Sequence, residues 1–136
     1  MKVVVDANVL FSCLLKEGLA RKLWFKQELE LYSPDFLMFE FLKYRTYLLQ
    51  KSLLSETDFT TLFENLFAKI IIVPKKDLTA FIPAAATLSN DAKDWLYLAC
   101  ALKEDAIIWS EDKEFKKQKR VEINTTGELG KETGLL

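Results

Sequence analysis

Four carboxylates in this chain stand where the side chains of an open α/β sheet would meet a ligand. Asp6 follows the apolar run Val3-Val4-Val5, and Glu40 is embedded in SPDFLMFEFLKY. Asp94 lies within NDAKDWLYLACAL, and Asp112 sits just past Ile107-Ile108-Trp109. Carboxylates gathered in one site raise one another's pKa unless a divalent cation neutralises them. Convergence of these four would therefore make a metal centre, and oxygen-ligated Mg²⁺ or Mn²⁺ is the kind of ion that acts on phosphates.

Each acid also has a structural reading. Asp6 and Asp112 both follow an apolar run with the character of a buried strand, and ligands of open α/β sheets bind beyond the carboxyl ends of the strands. Asp6 could instead cap a helix or shape a turn, although Asn8 is close enough to take that role. On a helical wheel at about 100° per residue, Glu40 falls inside an apolar arc of Phe36, Leu37, Phe41, Tyr44, Tyr47 and Leu48. A carboxylate on a core-facing stripe needs a partner, either a metal or a buried Arg or Lys. Asp94 borders the stripe formed by Trp95, Leu98, Ala99 and Leu102, where it can point over the end of the sheet. Asp91-Ala92-Lys93-Asp94 reads equally well as an N-cap and its N3 partner, which assigns Asp91 to capping.

The elements that must position these residues alternate between strand and helix. Lys2 to Val5 is β-branched and apolar throughout, as a parallel strand buried on both faces should be. Helices are predicted over Ala7–Leu15 and Leu19–Glu28, with a short strand at Leu29–Tyr32. Ser33-Pro34 predicts a helix start, with Ser33 as N-cap and Pro34 at the first helical position, running to about Lys51. Ser55-Glu56-Thr57-Asp58 resembles a capping box and opens a helix to about Lys69. A strand at Ile70–Val73 is closed by Pro74, and a short helical piece follows Pro83. The helix Asp91–Lys103, the strand Ala106–Trp109, a short helix from about Lys113 and a last strand Val121–Ile123 complete the pattern. The tail TTGELGKETGLL predicts a short capped helix. Alternating strands and helices imply one α/β domain over residues 1–136, three layers with a mainly parallel central sheet flanked by helices.

Composition narrows the function. A chain of 136 residues that is 50% apolar, with only 4 Gly and 3 Pro, can bury a substantial core and is not disordered. The formal net charge of −1 gives no global field for nucleic acid, so any such binding must use a local patch. There is no histidine, which removes serine–histidine triads and histidine-ligated zinc. Cys13 and Cys100 sit in apolar helical segments and read as small core residues of a cytosolic protein. The charge-poor start MKVVVDANVL meets Asp6 too early for a secretory signal, and no apolar run is long enough to span a bilayer. The cytoplasm is the expected location.

Taken in order and spacing, VVVDANVL, SPDFLMFE, DAKDWLYLACAL and IIWSEDKEF resemble the acidic motifs of PIN domains, from Lys2 to about Asn124. PIN domains are a metal-dependent ribonuclease fold whose members include VapC-type toxins of toxin–antitoxin pairs. The resemblance implies that Asp6, Glu40, Asp94 and Asp112 are catalytic and bind Mg²⁺ or Mn²⁺, and that the substrate is RNA rather than DNA. Asn8 and Ser110 match polar positions beside the family's site, and Asp91 matches an auxiliary acidic position. An antitoxin protein partner is part of what the resemblance implies.

Three further expectations come from the residues themselves. The run Lys113, Lys116, Lys117, Lys119 and Arg120 begins directly after Asp112 and could flank a scissile phosphate, or could be a solvated basic face. Met38, Leu42 and Leu49 form a second apolar stripe on the Glu40 helix, as a homodimer surface would. The competing functions are a non-catalytic PIN-fold module that binds RNA or protein, and a phosphoryl-transfer or receiver domain phosphorylated at Asp6. The last is disfavoured, because Asn8 stands where an aspartyl-phosphatase needs a second Asp, and VVVDANVL lacks a receiver's acidic pair.

Overall fold

A computed structural model describes residues 1–136. Its five strands are β1 (Lys2–Val5), β2 (Glu30–Pro34), β3 (Ile70–Val73), β4 (Ile107–Trp109) and β5 (Ile123–Asn124). They form one sheet in the order β3-β2-β1-β4-β5, and every neighbouring pair is parallel. Parallel strands need crossover connections, and helices supply them here on both faces of the sheet.

Strand side chains alternate between two cores, as the pleat requires. Val3, Val5, Leu31, Ile70 and Trp109 point to the first core. That core is covered by α1 (Ala7–Leu15), α2 (Leu19–Trp24), α3 (Phe36–Ser52), α4 (Glu56–Phe67) and α8 (Thr126–Glu132). Val4, Tyr32, Val73, Ile108 and Ile123 point to the second. It is closed by α5 (Lys75–Leu78), α6 (Ile82–Ala86), α7 (Ala92–Glu104) and Phe115 of a 3₁₀ turn at Lys113–Lys117. The three-layer α/β architecture expected from the alternating pattern is the one observed.

Several local expectations are corrected. Ser33 and Pro34 do not start the long helix; they are the last two residues of β2, in register with Ile72 and Val73. Proline biases the residue before it towards extended backbone, and the Ser33 hydroxyl donates to the Val5 carbonyl at 3.0 Å instead of capping. Pairing with β3 thus overrides the local helix-start signal, and α3 begins at Phe36. Asp35 stands at its N-cap position without a side-chain cap, because its carboxylate instead accepts from the Lys75 backbone N–H. The helix over Leu19 ends at Trp24, short of the expected Glu28. The last strand begins at Ile123 rather than Val121, because the Gln118 side chain takes up both backbone groups of Val121. The helical piece expected after Pro83 begins earlier, at Lys75, and continues through a 3₁₀ turn at Thr79–Phe81 into α6.

The consequence for function lies in strand order. From β1 the chain moves outward one way through β2 and β3, then returns to the other side of β1 with β4 and β5. Connections therefore diverge between β1 and β4, and a crevice opens beyond their carboxyl ends. Asp6 terminates one of these strands, and Ser110 to Asp112 follow the other.

Candidate metal centre at the carboxyl end of the sheet

A cleft of about 410 Å³ occupies this crevice, and Asp6, Glu40, Asp94 and Asp112 all line it. They come from four segments: the end of β1, α3, the first turn of α7, and the start of the 3₁₀ turn after β4. Asn8 and Asp91 also line the cleft, and Ser110 is buried beneath it.

Hydrogen bonds tie the β1 and β4 ends together. Asp6 accepts from the Ala7 backbone N–H at 2.8 Å, from the Ser110 hydroxyl at 2.6 Å and from the Asn8 amide at 3.0 Å. Ser110 in turn accepts from the Asp112 backbone N–H at 2.9 Å, and Asn8 accepts from that of Glu111. Asn8 and Ser110 are therefore positioning groups that hold Asp6 and Asp112 in a fixed relation. Asp112 is exposed and caps its own turn, accepting from the Glu114 N–H at 2.9 Å. Asp91 caps α7 through the Lys93 N–H, as expected, which leaves Asp94 free for another role. Asp94 accepts from the Ser89 hydroxyl at 2.9 Å and is half-buried.

Glu40 differs from its expected setting. The wide apolar arc of α3 divides in space: Leu37, Phe41 and Leu48 are buried, whereas Tyr44 and Tyr47 are exposed. Glu40 lies on the boundary, half-buried, facing the cleft. Its partner is neither Arg nor Lys but the buried Tyr97 hydroxyl, which donates to Oε1 at 2.6 Å. Tyr97 stands three residues after Asp94, so it shares that residue's side of α7. That spacing was the available sign of its role.

The electrostatics follow from burial and crowding. Desolvation pushes the Asp6 carboxyl up to about 6, with Glu40 and Asp112 adding to the rise and the Ser110 and Ala7 hydrogen bonds opposing it. Desolvation also raises Asp94, reinforced by Asp91, Asp112 and Glu114. Tyr97 is raised by burial and by its bond to Glu40, so it stays a donor. Burial is the main cause in each case, and the neighbouring carboxylates add to it. No three acidic side chains lie close enough in this geometry to hold one ion jointly. The four acids share the cleft rather than touch.

Cations near the cleft are sparse. Lys93 lines it, a residue the sequence reading passed over. Of the basic run after Asp112, Lys116 is paired with Glu128 at 2.6 Å and Lys117 with Glu114 at 2.7 Å. Lys113, Lys119 and Arg120 form no ion pair, but Lys119 and Arg120 line a separate surface hollow, where Lys119 donates to the Lys116 carbonyl at 3.2 Å.

A pH dependence of stability follows from Asp6. Between its ordinary value of 3.8 and its folded value of about 6, the native state keeps a proton that the unfolded chain has released. The folded state is thus favoured by this group at low pH, and loses on the order of 3 kcal/mol as pH rises through that window. Asp6→Asn abolishes the titration. In metal-free buffer its stability relative to the unsubstituted chain, measured by urea unfolding, is expected to increase from about pH 4 to pH 7. A gap that stays constant over that range would refute the elevated Asp6 pKa.

No curated protein matches the sequence. A chain of VapBC2 from Rickettsia felis, crystallised bound to a DNA fragment from their promoter, superposes with a TM-score of 0.68 at 14% identity. That match covers 92% of this chain and 98% of the other. PAE2754 from Pyrobaculum aerophilum superposes equally well, with a TM-score of 0.68 at 12% identity over 100% of this chain and 91% of its own. At such low identity these likenesses establish a common fold. The sequence match is more specific: the PIN domain family model covers residues 4–133, all four acidic positions included. The chain belongs to the PIN domain family.

Proposed function

We propose that this PIN-domain chain is a divalent-metal-dependent ribonuclease that hydrolyses RNA phosphodiester bonds, with Asp6, Glu40, Asp94 and Asp112 as its metal-binding acids. The observation that carries this reading is that four carboxylates from four segments border one cleft at the switch point of a parallel sheet. Crowded carboxylates are costly to keep ionised, and a cation is the economical way to relieve them.

The donor set fits Mg²⁺ or Mn²⁺, which take oxygen ligands and retain several waters, so carboxylates spaced around a cleft suffice. When bound, such an ion activates water near neutral pH and offsets the charge that builds on the phosphate. The protein's own groups do the positioning. Ser110, Asn8 and the Ala7 N–H orient Asp6, Tyr97 orients Glu40, and Ser89 orients Asp94. In this reading Asp6, Asp94 and Asp112 are ligands that an ion would have to draw closer together than they stand here, with Glu40 acting directly or through water. Lys93, which lines the cleft, is the cation this reading assigns to phosphate oxygens.

A second reading, a non-catalytic PIN module that binds RNA or protein, is favoured by one observation: no three acids stand close enough to ligate an ion together. The toxin role belongs to the first reading, with an antitoxin-type protein as partner and the cytoplasm as location. Homodimerisation through α3 is a further element of the proposal. Leu42 is 61% exposed, while Met38 and Leu49 are half-buried against the first core, so Leu42 is the chief free member of the stripe.

Purified protein incubated with RNA is expected to cleave it with Mn²⁺ or Mg²⁺ and not with EDTA. Asp6→Asn and Asp112→Asn should each slow cleavage at least a hundredfold. Cleavage by neither the parent chain nor the variants, in any of these ions, would favour the binding module. Mn²⁺ should also raise the melting temperature of the parent chain but not of Asp6→Asn, because only a ligand of the folded state stabilises it. Tyr97→Phe deletes only the hydroxyl that orients Glu40. It is expected to weaken Mn²⁺ affinity by about tenfold, as loss of an outer-shell partner does, with the fold intact by circular dichroism. Unaltered affinity would remove Tyr97 from the site. Sedimentation at micromolar concentration should give a dimer that Leu42→Asp converts to a monomer; a monomeric parent chain would discard the interface.

A further inference from the structure

Two exposed tyrosines beside the acidic cleft have no part in the metal chemistry. At about 100° per residue, Glu40, Tyr44, Tyr47 and Lys51 fall within an arc of about 60° on α3. They form one stripe that leads from the acidic site along the helix for about 16 Å at 1.5 Å per residue. Tyr44 is 41% and Tyr47 56% exposed, and both line the same cleft as the four acids. Phe11 of α1 meets the Tyr44 ring edge-on, with centroids 5.7 Å apart, and so buttresses it without covering it. Lysine ammonium groups lie close to the two rings. Lys43 Nζ lies 5.5 Å from the Tyr44 centroid and Lys51 Nζ 5.5 Å from that of Tyr47, while Lys51 also donates to the Tyr47 hydroxyl at 3.1 Å.

Aromatic rings interleaved with cations are what an unpaired nucleic-acid strand requires: rings take the flat faces of bases and ammonium groups take the phosphates. Lysine over an exposed ring is held only weakly, so it can swing to a phosphate when a base displaces it. In a duplex the base faces are already stacked on one another and cannot reach the rings. The stripe is also continuous with the acidic cleft, so a base seated on Tyr44 would set its neighbouring phosphate beside Glu40. A chain with net charge −1 has no general field for nucleic acid, and a stacking surface supplies affinity that does not depend on one.

We propose that Tyr44 and Tyr47, with Lys43 and Lys51, form a stacking platform that seats unpaired bases of a single strand next to the acidic cleft. The proposal rests on the nuclease reading and assigns the unpaired bases of its substrate a seat on α3. Tyr44 and Tyr47 act as substrate-positioning residues and touch no metal ligand's chemistry.

The test measures binding apart from cleavage. Fluorescence anisotropy would follow a labelled ten-nucleotide single-stranded RNA, the same sequence as DNA, the annealed RNA duplex, and an abasic strand of equal length. Each would be titrated with full-length protein carrying Asp112→Asn in Mg²⁺. Tyr44→Ala and Tyr47→Ala should each weaken single-strand binding by roughly tenfold, whereas Tyr44→Phe and Tyr47→Phe should retain it. The abasic strand and the duplex should bind the parent protein no better than the single strand binds the alanine variants. Binding of the DNA strand equal to that of RNA would support the platform, since stacking does not read the sugar. Duplex binding as tight as single-strand binding, or alanine variants that bind unchanged, would overturn it. So would a dimer that both alanine changes convert to monomer in sedimentation, with binding lost in parallel, because the rings would then belong to a contact between copies. A protein that cuts RNA yet ignores these substitutions defeats the platform alone. One that fails to cut, but binds in a ring-dependent way, defeats the nuclease reading alone.

Discussion

Asp6 holds a carboxyl group beneath the surface at the end of the central strand, where desolvation and two neighbouring carboxylates oppose its ionisation. Much of the surrounding structure answers to that constraint. Three hydrogen-bond donors converge on it, from Ala7, Asn8 and Ser110, and Ser110 is brought there only because β4 pairs directly with β1. A neutral or apolar residue would be easier to bury at this position. An acid there makes sense physically when its charge has a use.

Helix α3 serves two environments at once. Leu37, Phe41 and Leu48 anchor it in the first core, where Phe41 stacks on Phe63 with centroids 4.0 Å apart. Rotating about the axis, the next positions are Glu40, Tyr44 and Tyr47, which face the cleft instead. The helix must therefore be rigid against the core for its polar edge to be positioned. Helix α7 works in the same manner: Leu98, Ala99 and Cys100 are fully buried, while Asp94 and Tyr97 meet the cleft from its N-terminal half.

Much of this was legible in the residues. Apolar runs marked β1, β3 and β4, because strands buried on both faces need no polar alternation. Asp91 and Ser55 marked the starts of α7 and α4, because capping is a local interaction; each accepts a backbone N–H from two or three residues on. The four acids could be singled out because they interrupt apolar segments. Local reading failed where distant partners decided the outcome. Ser33-Pro34 has the chemistry of a helix start, yet pairing with β3 drew it into β2. Tyr44 and Tyr47 looked like core residues by periodicity, because an amphipathic wheel cannot distinguish a buried face from the wall of a cleft.

The sequence by itself determined the fold class and the family, and it singled out four acids as candidates, since all of these rest on short-range patterns of residue type. Only the tertiary structure decided which side chains answer to which. Tyr97 as the partner of Glu40 is set by packing between helices 57 residues apart. The network joining Asp6 to Ser110 spans 104 residues and is set by the order in which parallel strands come together. Hydrogen bonds and burial act through space, and no periodicity along the chain encodes the distance between groups so far apart.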